Sequence, residues 1–239
     1  MRYYEFIIME DVAKINYAIE FKDGDLIMGS QEQVVKDLSL FKIHMQQINA
    51  TKKLCDFYLP SANLSMRELV STKAKTFFDA YRKDNIRYYP CPVIRGKVHI
   101  DGYWITDKLI FDDDWVDFSK SDFIYVNRQL IKAEGEQRDR YEKKVKTVSF
   151  KDLAHLKEFK EKEMWFMDEL HPHKIFIKEG CPYQILSIPS TGIFHLIVTE
   201  EVKTQLQQQK MDKGIEFKPL GISEEEWGGP NGLRKQFYN

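Results

Sequence analysis

The chain has 239 residues, of which 43% are hydrophobic and 31% are charged, and 36 basic side chains nearly balance 37 acidic ones. A chain of this length buries enough apolar surface to fold without a metal or disulfide staple, as one large domain or two small ones. The balanced charge disfavours a nucleic-acid binder that depends on a basic field, and no run reaches the roughly 20 apolar residues that span a bilayer.

The cysteines and the N-terminus bear on the cellular compartment. Cys55, Cys91 and Cys181 are odd in number and far apart, without CxxC spacing. This pattern indicates buried free thiols in a reducing compartment, not a disulfide framework or a zinc site. The opening apolar run becomes charged again at Glu10, so no secretion signal is predicted. We therefore expect a cytoplasmic protein.

The N-terminal region 1–60 is predicted to contain strands and one helix. The opening residues are rich in β-branched and aromatic types, and Ile19 to Met28 carries a polar turn at 22–25, so a short meander is predicted. A helix is predicted between Gln31 and Met45, because apolar residues recur there at intervals of three and four. These residues are Val34, Leu38, Phe41 and Met45.

The next segment predicts a helix followed by a sheet. Ser71 can cap a helix whose apolar residues Ala74, Phe77, Phe78 and Tyr81 lie at helical spacing. Ser65, with Glu68 three residues later, offers an alternative start. Strands are expected where aliphatic and aromatic residues follow in short runs, at 86–89, 98–100, 103–105 and 123–126.

The segment 132–146 is almost wholly charged or polar. This pattern predicts a solvated hairpin or helix, or a linker, and it indicates a candidate internal domain boundary near 132–147. Ser149, with Asp152 three residues later, can cap a helix that should end before His171 and Pro172.

Short strands are predicted at 175–177, 183–188 and 193–198. Thr199 can cap a second amphipathic helix, which buries Val202 and Leu206. The glycine-rich segment 228–232 predicts a flexible end.

One pattern occurs twice, over residues 69–90 and 197–219. It runs from a strand end through a hydroxyl cap, a helix, a polar turn and a second strand to a proline. Such recurrence predicts a structural repeat. With the elements above, it indicates an α+β fold of mixed or antiparallel sheets with several packing helices.

Several phrases of the sequence resemble immunity proteins of bacterial polymorphic toxin systems, in particular the myxobacterial-type immunity domain. They are Leu69-Val70-Ser71, residues 88–93, Tyr103-Trp104-Ile105, residues 117–123, and the stretch from Ile175 to Leu220. The resemblance divides the chain into an N-terminal region 1–60, an immunity-like domain 61–221 and a C-terminal tail 222–239.

The resemblance implies a non-enzymatic protein without a cofactor. Its partner would be a cognate toxin that it binds and neutralises stoichiometrically. The balanced charge and the lack of a long apolar run argue separately against a nucleic-acid or membrane partner. Monomer and homodimer both remain open.

An acidic run with two aromatic residues is the candidate partner-binding site. It consists of Phe111, Asp112, Asp113, Asp114, Trp115 and Asp117. A solvated loop is the plain interpretation, and a magnesium cluster is another, because hard cations prefer carboxylate oxygens. An aromatic anchor with a charged rim is also typical of protein interfaces.

Two other functions are carried as alternatives. A metal-dependent hydrolase could use Glu169, His171, His173 and Glu179. However, an HxH pair binds metal mainly from a strand, and this pair is predicted at a helix end. A nucleic-acid or scaffold adaptor is the second alternative, since aromatic residues are interspersed with Lys and Arg at 81–83 and 87–89.

Overall fold

The computed structural model describes residues 1–9, 15–18, 46–48, 53–60, 64, 67–131 and 140–238. The meander predicted from Ile19 to Met28, the helix predicted from Gln31 to Met45 and the alternative helix start at Ser65 lie outside the described residues. The described elements, in chain order, are β1 (Tyr3–Ile8), β2 (Ile15–Ala18), β3 (Gln46–Ile48), β4 (Phe57–Tyr58), β5 (Leu69–Ser71), α1 (Thr72–Arg82), β6 (Ile86–Pro90), β7 (Val93–Arg95), β8 (Val98–Ile100), β9 (Tyr103–Lys108), β10 (Asp122–Ile131), β11 (Arg140–Ser149), α2 (Leu153–Lys162), β12 (Glu169–Lys174), β13 (Ile185–Leu186), β14 (Leu196–Thr199), α3 (Glu200–Gln208), β15 (Ile215–Pro219), α4 (Glu224–Gly228) and α5 (Arg234–Phe237). Short 3-10 turns occur at Asp113–Trp115 and Pro189–Thr191.

The chain folds into two compact units that do not follow chain order. Unit 1 comprises Met1–Phe111, Pro182–Ser187 and Phe194–Lys218, and unit 2 comprises Asp112–Cys181, Ile188–Ile193 and Pro219–Asn239. These units differ from the expected division at 60 and 221. The physical reason is long-range strand pairing, since β1 at the N-terminus pairs with β14, which lies in the C-terminal part of the chain.

The described residues of unit 1 form three four-stranded sheets, and the predicted α+β class is confirmed. The strand orders are β13-β14-β1-β15, β4-β5-β9-β6 and β2-β3-β7-β8. Most pairs are antiparallel, whereas β3 and β7 run parallel.

The first two sheets are two copies of one arrangement, as the recurring sequence pattern predicted. In each, a strand that ends in the helix cap lies between a short outer strand and a central strand. The cap residue Ser71 pairs with Tyr103 of β9, and the cap residue Thr199 pairs with Tyr3 of β1. The central strand therefore follows the helix in one copy and comes from the N-terminus in the other.

The two helices of the repeat start as predicted. The hydroxyl of Ser71 accepts a hydrogen bond from the amide of Ala74 at 3.1 Å, and that of Thr199 accepts one from Val202 at 3.4 Å. Each satisfies one of the amides left unpaired in a first helical turn. The helices then bury Phe78 and Leu206, both fully inaccessible to solvent.

Phenylalanine rings from both copies meet in the core of unit 1. Phe6 of β1 packs edge-on against Phe57 with ring centroids 4.8 Å apart, and its centroid lies 6.0 Å from that of Phe78. All three side chains are buried. Burial of one such ring contributes about 1.5–3 kcal/mol, so this cluster is a main source of unit 1 stability.

Unit 2 is built on a long hairpin. β10 pairs antiparallel with β11 from Asp122↔Ser149 to Ile131↔Arg140, and with β12 on its other side. The charged segment around 140–147 is therefore a strand of this hairpin, while 132–139 lie outside the described residues. Phe123, Phe150 and Phe159 pack together beneath the hairpin with centroids 5.2 Å apart in each consecutive pair.

Three local expectations for unit 2 are corrected. α2 is capped by Asp152, whose carboxylate accepts from His155 N at 2.8 Å, and Ser149 instead ends β11. His171 and His173 lie in strand β12, not at a helix end. The strand predicted at 175–177 is wrong: β12 ends at Lys174, opposite the first residue of β10, so the chain beyond has only an isolated bridge from Ile177 to Val116.

The C-terminal segment is ordered, contrary to the flexible end predicted from its glycines. Ser223 and Glu226 form a capping box at the start of α4. Trp227 is buried, and its ring stacks on Phe237 at a centroid distance of 6.1 Å. The stacking of Trp227 on Phe237 gives this segment an apolar contact, which its glycine content did not predict.

In the described part of the chain, no helix has both the length and the apolar character needed to cross a membrane. Cys55, Cys91 and Cys181 are free and buried, as predicted.

Candidate functional site

The acidic run is divided between the interior and the surface of the protein. Asp112 and Asp113 are buried, Asp114 is exposed, and Asp117 is half-buried beside Ser119 and Lys120. Phe111 and Trp115 are each partly buried. The run therefore presents no continuous acidic surface, which corrects its interpretation as a solvated loop.

Asp113 has a structural partner instead. Its carboxylate accepts hydrogen bonds from the amide of Ser190 at 3.0 Å and from the hydroxyl of Ser190 at 2.8 Å. Burial raises the pKa of Asp113, although the two bonds from Ser190 oppose the shift. These contacts tie the turn at Asp113–Trp115 to the turn at Pro189–Thr191 within unit 2.

The histidine pair is on a strand but is not gathered with further ligands. His171 Nε2 lies 3.0 Å from Glu169 Oε2, and Glu169 also pairs with Arg128. Across residues 1–9, 15–18, 46–48, 53–60, 64, 67–131 and 140–238, no three His, Cys, Asp or Glu side chains are placed to hold a metal ion. A guanidinium at the same carboxylate competes with any cation there.

The thiols are poorly suited to nucleophilic chemistry. Burial raises the pKa of Cys91 to about 12 and also raises the pKa of Cys55. Because the thiolate is the reactive form, these shifts disfavour nucleophilic chemistry at Cys55 and Cys91.

A buried ionic cluster lies in unit 1, and its members satisfy one another. Lys108 Nζ lies 2.7 Å from a carboxylate oxygen of Glu68 and donates a second bond of 2.7 Å to the carbonyl of Phe194. Thr106 donates to the other Glu68 oxygen at 2.6 Å. A second buried pair joins Lys218 to Glu5 at 3.1 Å. This mutual pairing accounts for the burial of these charges as a feature of the fold.

Unit 2, in contrast, has a group of apolar side chains that are exposed or partly exposed to solvent on the hairpin and on the turn after α2. We call it the aromatic patch and define it as Leu130, Tyr141, Val145, Trp165 and Phe166. The exposed fractions are 46% for Leu130, 63% for Val145, 45% for Trp165 and 79% for Phe166. Exposed apolar residues that are gathered in this way, unlike scattered ones, mark interaction sites.

The geometry of the hairpin and of the following turn assembles the patch. Leu130 lies opposite Tyr141 in the strand register, and Val145 shares the face of Tyr141 because strand residues alternate sides. The ring of Tyr141 lies 6.4 Å from that of Trp165, and Trp165 lies 4.3 Å from Phe166.

Asp168 holds the turn that presents Trp165 and Phe166. Its carboxylate accepts from the hydroxyl of Tyr125 at 2.6 Å and from the amides of Trp165 and Arg128 at 2.9 Å each. Burial alone would raise the pKa of Asp168, but these bonds outweigh it and hold the pKa below its usual range. The carboxylate therefore stays ionised, and the aromatic turn is fixed before any partner arrives.

A pocket of about 340 Å³ lies on the other face of the hairpin, against α2. Its floor is aromatic, because Tyr125 and Phe159 meet edge-to-face at 5.2 Å. Its remaining lining is polar: Asn127, Gln129, Lys144, Lys146 and Glu163. We call it the hairpin pocket.

Sequence reasoning missed both the aromatic patch and the hairpin pocket. Trp165 and Phe166 follow an amphipathic helix and look like core residues in the sequence, and segment 132–146 was interpreted as a solvated hairpin or helix, or as a linker. One signal was present: Val145 is an aliphatic residue flanked by lysines in a run otherwise polar.

No protein-family model matches this chain, and no curated protein matches its sequence. The functional assignment therefore depends on the residues and geometry of the chain itself.

Proposed function

We propose that this chain is an immunity protein that acts in the cytoplasm by binding a cognate bacterial toxin and blocking it stoichiometrically. Two independent lines support the proposal. The sequence resembles immunity domains over residues 61–221, and unit 2 carries an aromatic patch whose side chains are largely exposed and whose turn is held by Asp168.

The exposure of the patch is the observation that carries the proposal. Burying an apolar side chain is favourable by about 1.5–3 kcal/mol, so leaving Val145 and Phe166 in water forgoes stability. A partner surface that covers them would recover that energy. Aromatic anchors in the middle of a polar surround are typical of the residues that dominate interface affinity.

The surround of the patch favours fast and specific capture. Arg128 and Lys143 face each other across the hairpin on the same side as Leu130 and Tyr141. Complementary charge at the rim of an interface speeds association and selects partners. Because an unbound toxin molecule acts catalytically, we expect a complex of nanomolar affinity or tighter, on the order of −12 kcal/mol.

The test is a protection assay with a matched pair of substitutions. The chain is co-expressed in bacteria with the product of its neighbouring open reading frame, the candidate toxin, and survival is measured. Val145→Glu places a charge in the aromatic patch, whereas Val98→Glu makes the same change on β8 of unit 1. The two valines are 63% and 61% exposed, so neither change should unfold the protein.

We expect the wild type and Val98→Glu to protect, and Val145→Glu to lose protection and to bind the purified toxin roughly 30-fold more weakly or worse, since a charge in an apolar contact costs about 2 kcal/mol or more. Equal protection by both variants would show that the toxin binds elsewhere. Failure of the wild type to protect, or turnover of a substrate by the purified chain, would refute the function itself.

A further inference from the structure

The hairpin pocket lies on the face of the hairpin opposite Leu130, Tyr141 and Val145, and the aromatic patch does not explain it. Tyr125 and Asn127 of β10 lie directly opposite Lys146 and Lys144 of β11, so these four side chains share one face of the hairpin. α2 closes that face with Phe159 and the residue after the helix, Glu163. The site is thus built from three separate stretches of chain.

Two lysines give the pocket a positive side. Lys144 and Lys146 are exposed, and neither has a carboxylate partner within the part of the chain that the structure describes. Lys146 Nζ lies 5.1 Å from the centroid of the Tyr125 ring, which orients one ammonium over the aromatic floor. Glu163 is the one acidic side chain in the described lining, so the lining is net positive.

The floor is rigid. The Tyr125 hydroxyl is held by Asp168, and the Asn127 amide donates to both carboxylate oxygens of Asp168 at 3.2 Å. Tyr125 and Asn127 are therefore positioned by the same carboxylate that fixes the aromatic turn. A ligand entering the pocket meets a preformed surface and has little ordering cost to overcome.

Lysines on an edge strand have a plain alternative role, since they deter self-association between sheet edges. That role requires only that the charges face solvent. It does not account for a 340 Å³ pocket with an aromatic floor beneath two of them. The combination of apolar floor and paired ammonium groups instead matches a carboxylate carried on an apolar stem.

We propose that the hairpin pocket is a carboxylate-binding subsite that receives an acidic side chain of the toxin. This inference rests on the proposed function and adds the chemistry of the partner: the toxin surface that meets unit 2 presents an acidic residue on this face of the hairpin, in addition to an apolar area for the aromatic patch. The charge complementarity of the two lysines is the reason for choosing an acidic occupant.

The first experiment tests the chemistry with probes and does not need the toxin. The isotope-labelled full chain is titrated with sodium phenylacetate, and the side-chain amide signals of Asn127 and Gln129 are followed by NMR. Benzylamine and benzyl alcohol are probes of the same shape with a positive and a neutral head. We expect phenylacetate to shift both signals, more weakly as salt is raised, and the other two probes to leave them unchanged.

The variant Lys144→Gln/Lys146→Gln should bind phenylacetate about ten-fold more weakly, the effect of losing two exposed ion pairs. The matched control, Lys97→Gln/Lys151→Gln, removes the same charge from two exposed lysines outside the pocket and should bind phenylacetate as the wild type does. Equal shifts by all three probes, no shift by phenylacetate, or unchanged binding in the pocket variant would overturn the carboxylate subsite.

The second experiment identifies the occupant by comparing both variants in the protection assay and in their binding to the purified toxin. We expect the pocket variant to bind the toxin about ten-fold more weakly than the control variant. If the pocket variant loses phenylacetate but binds the toxin normally, the ligand is a free carboxylate, and the toxin assignment fails while the proposed function stands. If the wild type gives no protection, the proposed function fails independently of the phenylacetate result.

Discussion

Unit 1 contains paired charges in its interior, whereas unit 2 carries the aromatic patch on its surface, and this comparison separates contacts that stabilise the fold from contacts that we assign to a partner. Lys108 and Glu68 of unit 1 are buried and paired, so their contacts are complete within the chain. Val145 and Phe166 of unit 2 are exposed, so their favourable contacts are still to be made. We assign these exposed side chains to the interface with the partner.

The largest effect should come from breaking the buried pair in unit 1. Lys108→Met removes the ammonium but leaves the Glu68 carboxylate buried, and we expect a loss of about 3–5 kcal/mol in the free energy of unfolding. Urea denaturation measures it. The double change Glu68→Gln/Lys108→Met should recover part of this loss, because no uncompensated charge remains. A loss below about 1 kcal/mol for Lys108→Met, the range of an exposed ion pair, would mean that Glu68 reaches water.

A smaller effect should follow from removing the two helix caps. Ser71→Ala and Thr199→Ala should each lower the free energy of unfolding by about 1 kcal/mol, since each leaves one first-turn amide unpaired. Ser71 also donates to Asp56 at 2.5 Å, so its change should be the costlier of the two.

Controls for the caps are available within the same helices. Thr76 and Thr204 donate to carbonyls four residues earlier, in the helix interior. Their replacement by alanine should be neutral or stabilising, because alanine is the better helix former. Equal losses from cap and interior changes would contradict the capping role.

The effect of pH on the free energy of unfolding should be smaller still. Burial and the nearby Lys108 ammonium lower the pKa of His195, with Lys218 acting in the same direction and Glu68 opposing them. The unfolded chain therefore takes up a proton near pH 6.5 that the folded chain does not, and stability is lost as the pH falls below that value. Denaturation between about pH 7.5 and pH 5 should show a shallower decline for His195→Gln. An identical decline would exclude His195 as the cause.

The smallest effect on stability should come from the aromatic patch. Phe166→Ala should change the free energy of unfolding by no more than about 0.5 kcal/mol, because the ring is 79% exposed. The same change should strongly weaken binding to the purified toxin and should reduce protection in the protection assay. A destabilisation as large as that of a buried ring truncated to alanine would instead make Phe166 part of the fold and remove it from the interface.

The local features of the repeat were predictable from the sequence. Its caps at Ser71 and Thr199, its two helices and the strand ends at Pro90 and Pro219 were predicted and are confirmed, because each depends on residues a few positions apart. The central strands β9 and β1 were not recognised as equivalent, since they lie on opposite sides of their helices along the chain. Loop closure over such distances leaves no local pattern.

Which side chains of the candidate site are buried was not predictable from the sequence. Asp112 and Asp113 were interpreted as surface charges and are buried, whereas Trp165 and Phe166 have the composition of a core and are exposed. Residue type sets what burial would cost or yield, but it does not set which neighbours are present to provide it.

The amino-acid sequence by itself therefore determined the class of fold, the start of the capped helices and the existence of a repeat, since short-range sterics and hydrogen bonding decide these. Only the tertiary structure decided which distant strands pair, which carboxylates are enclosed and which aromatic side chains remain in water. Those outcomes depend on the simultaneous packing of segments as distant along the chain as β1 and β14, and no stretch of sequence records that packing alone.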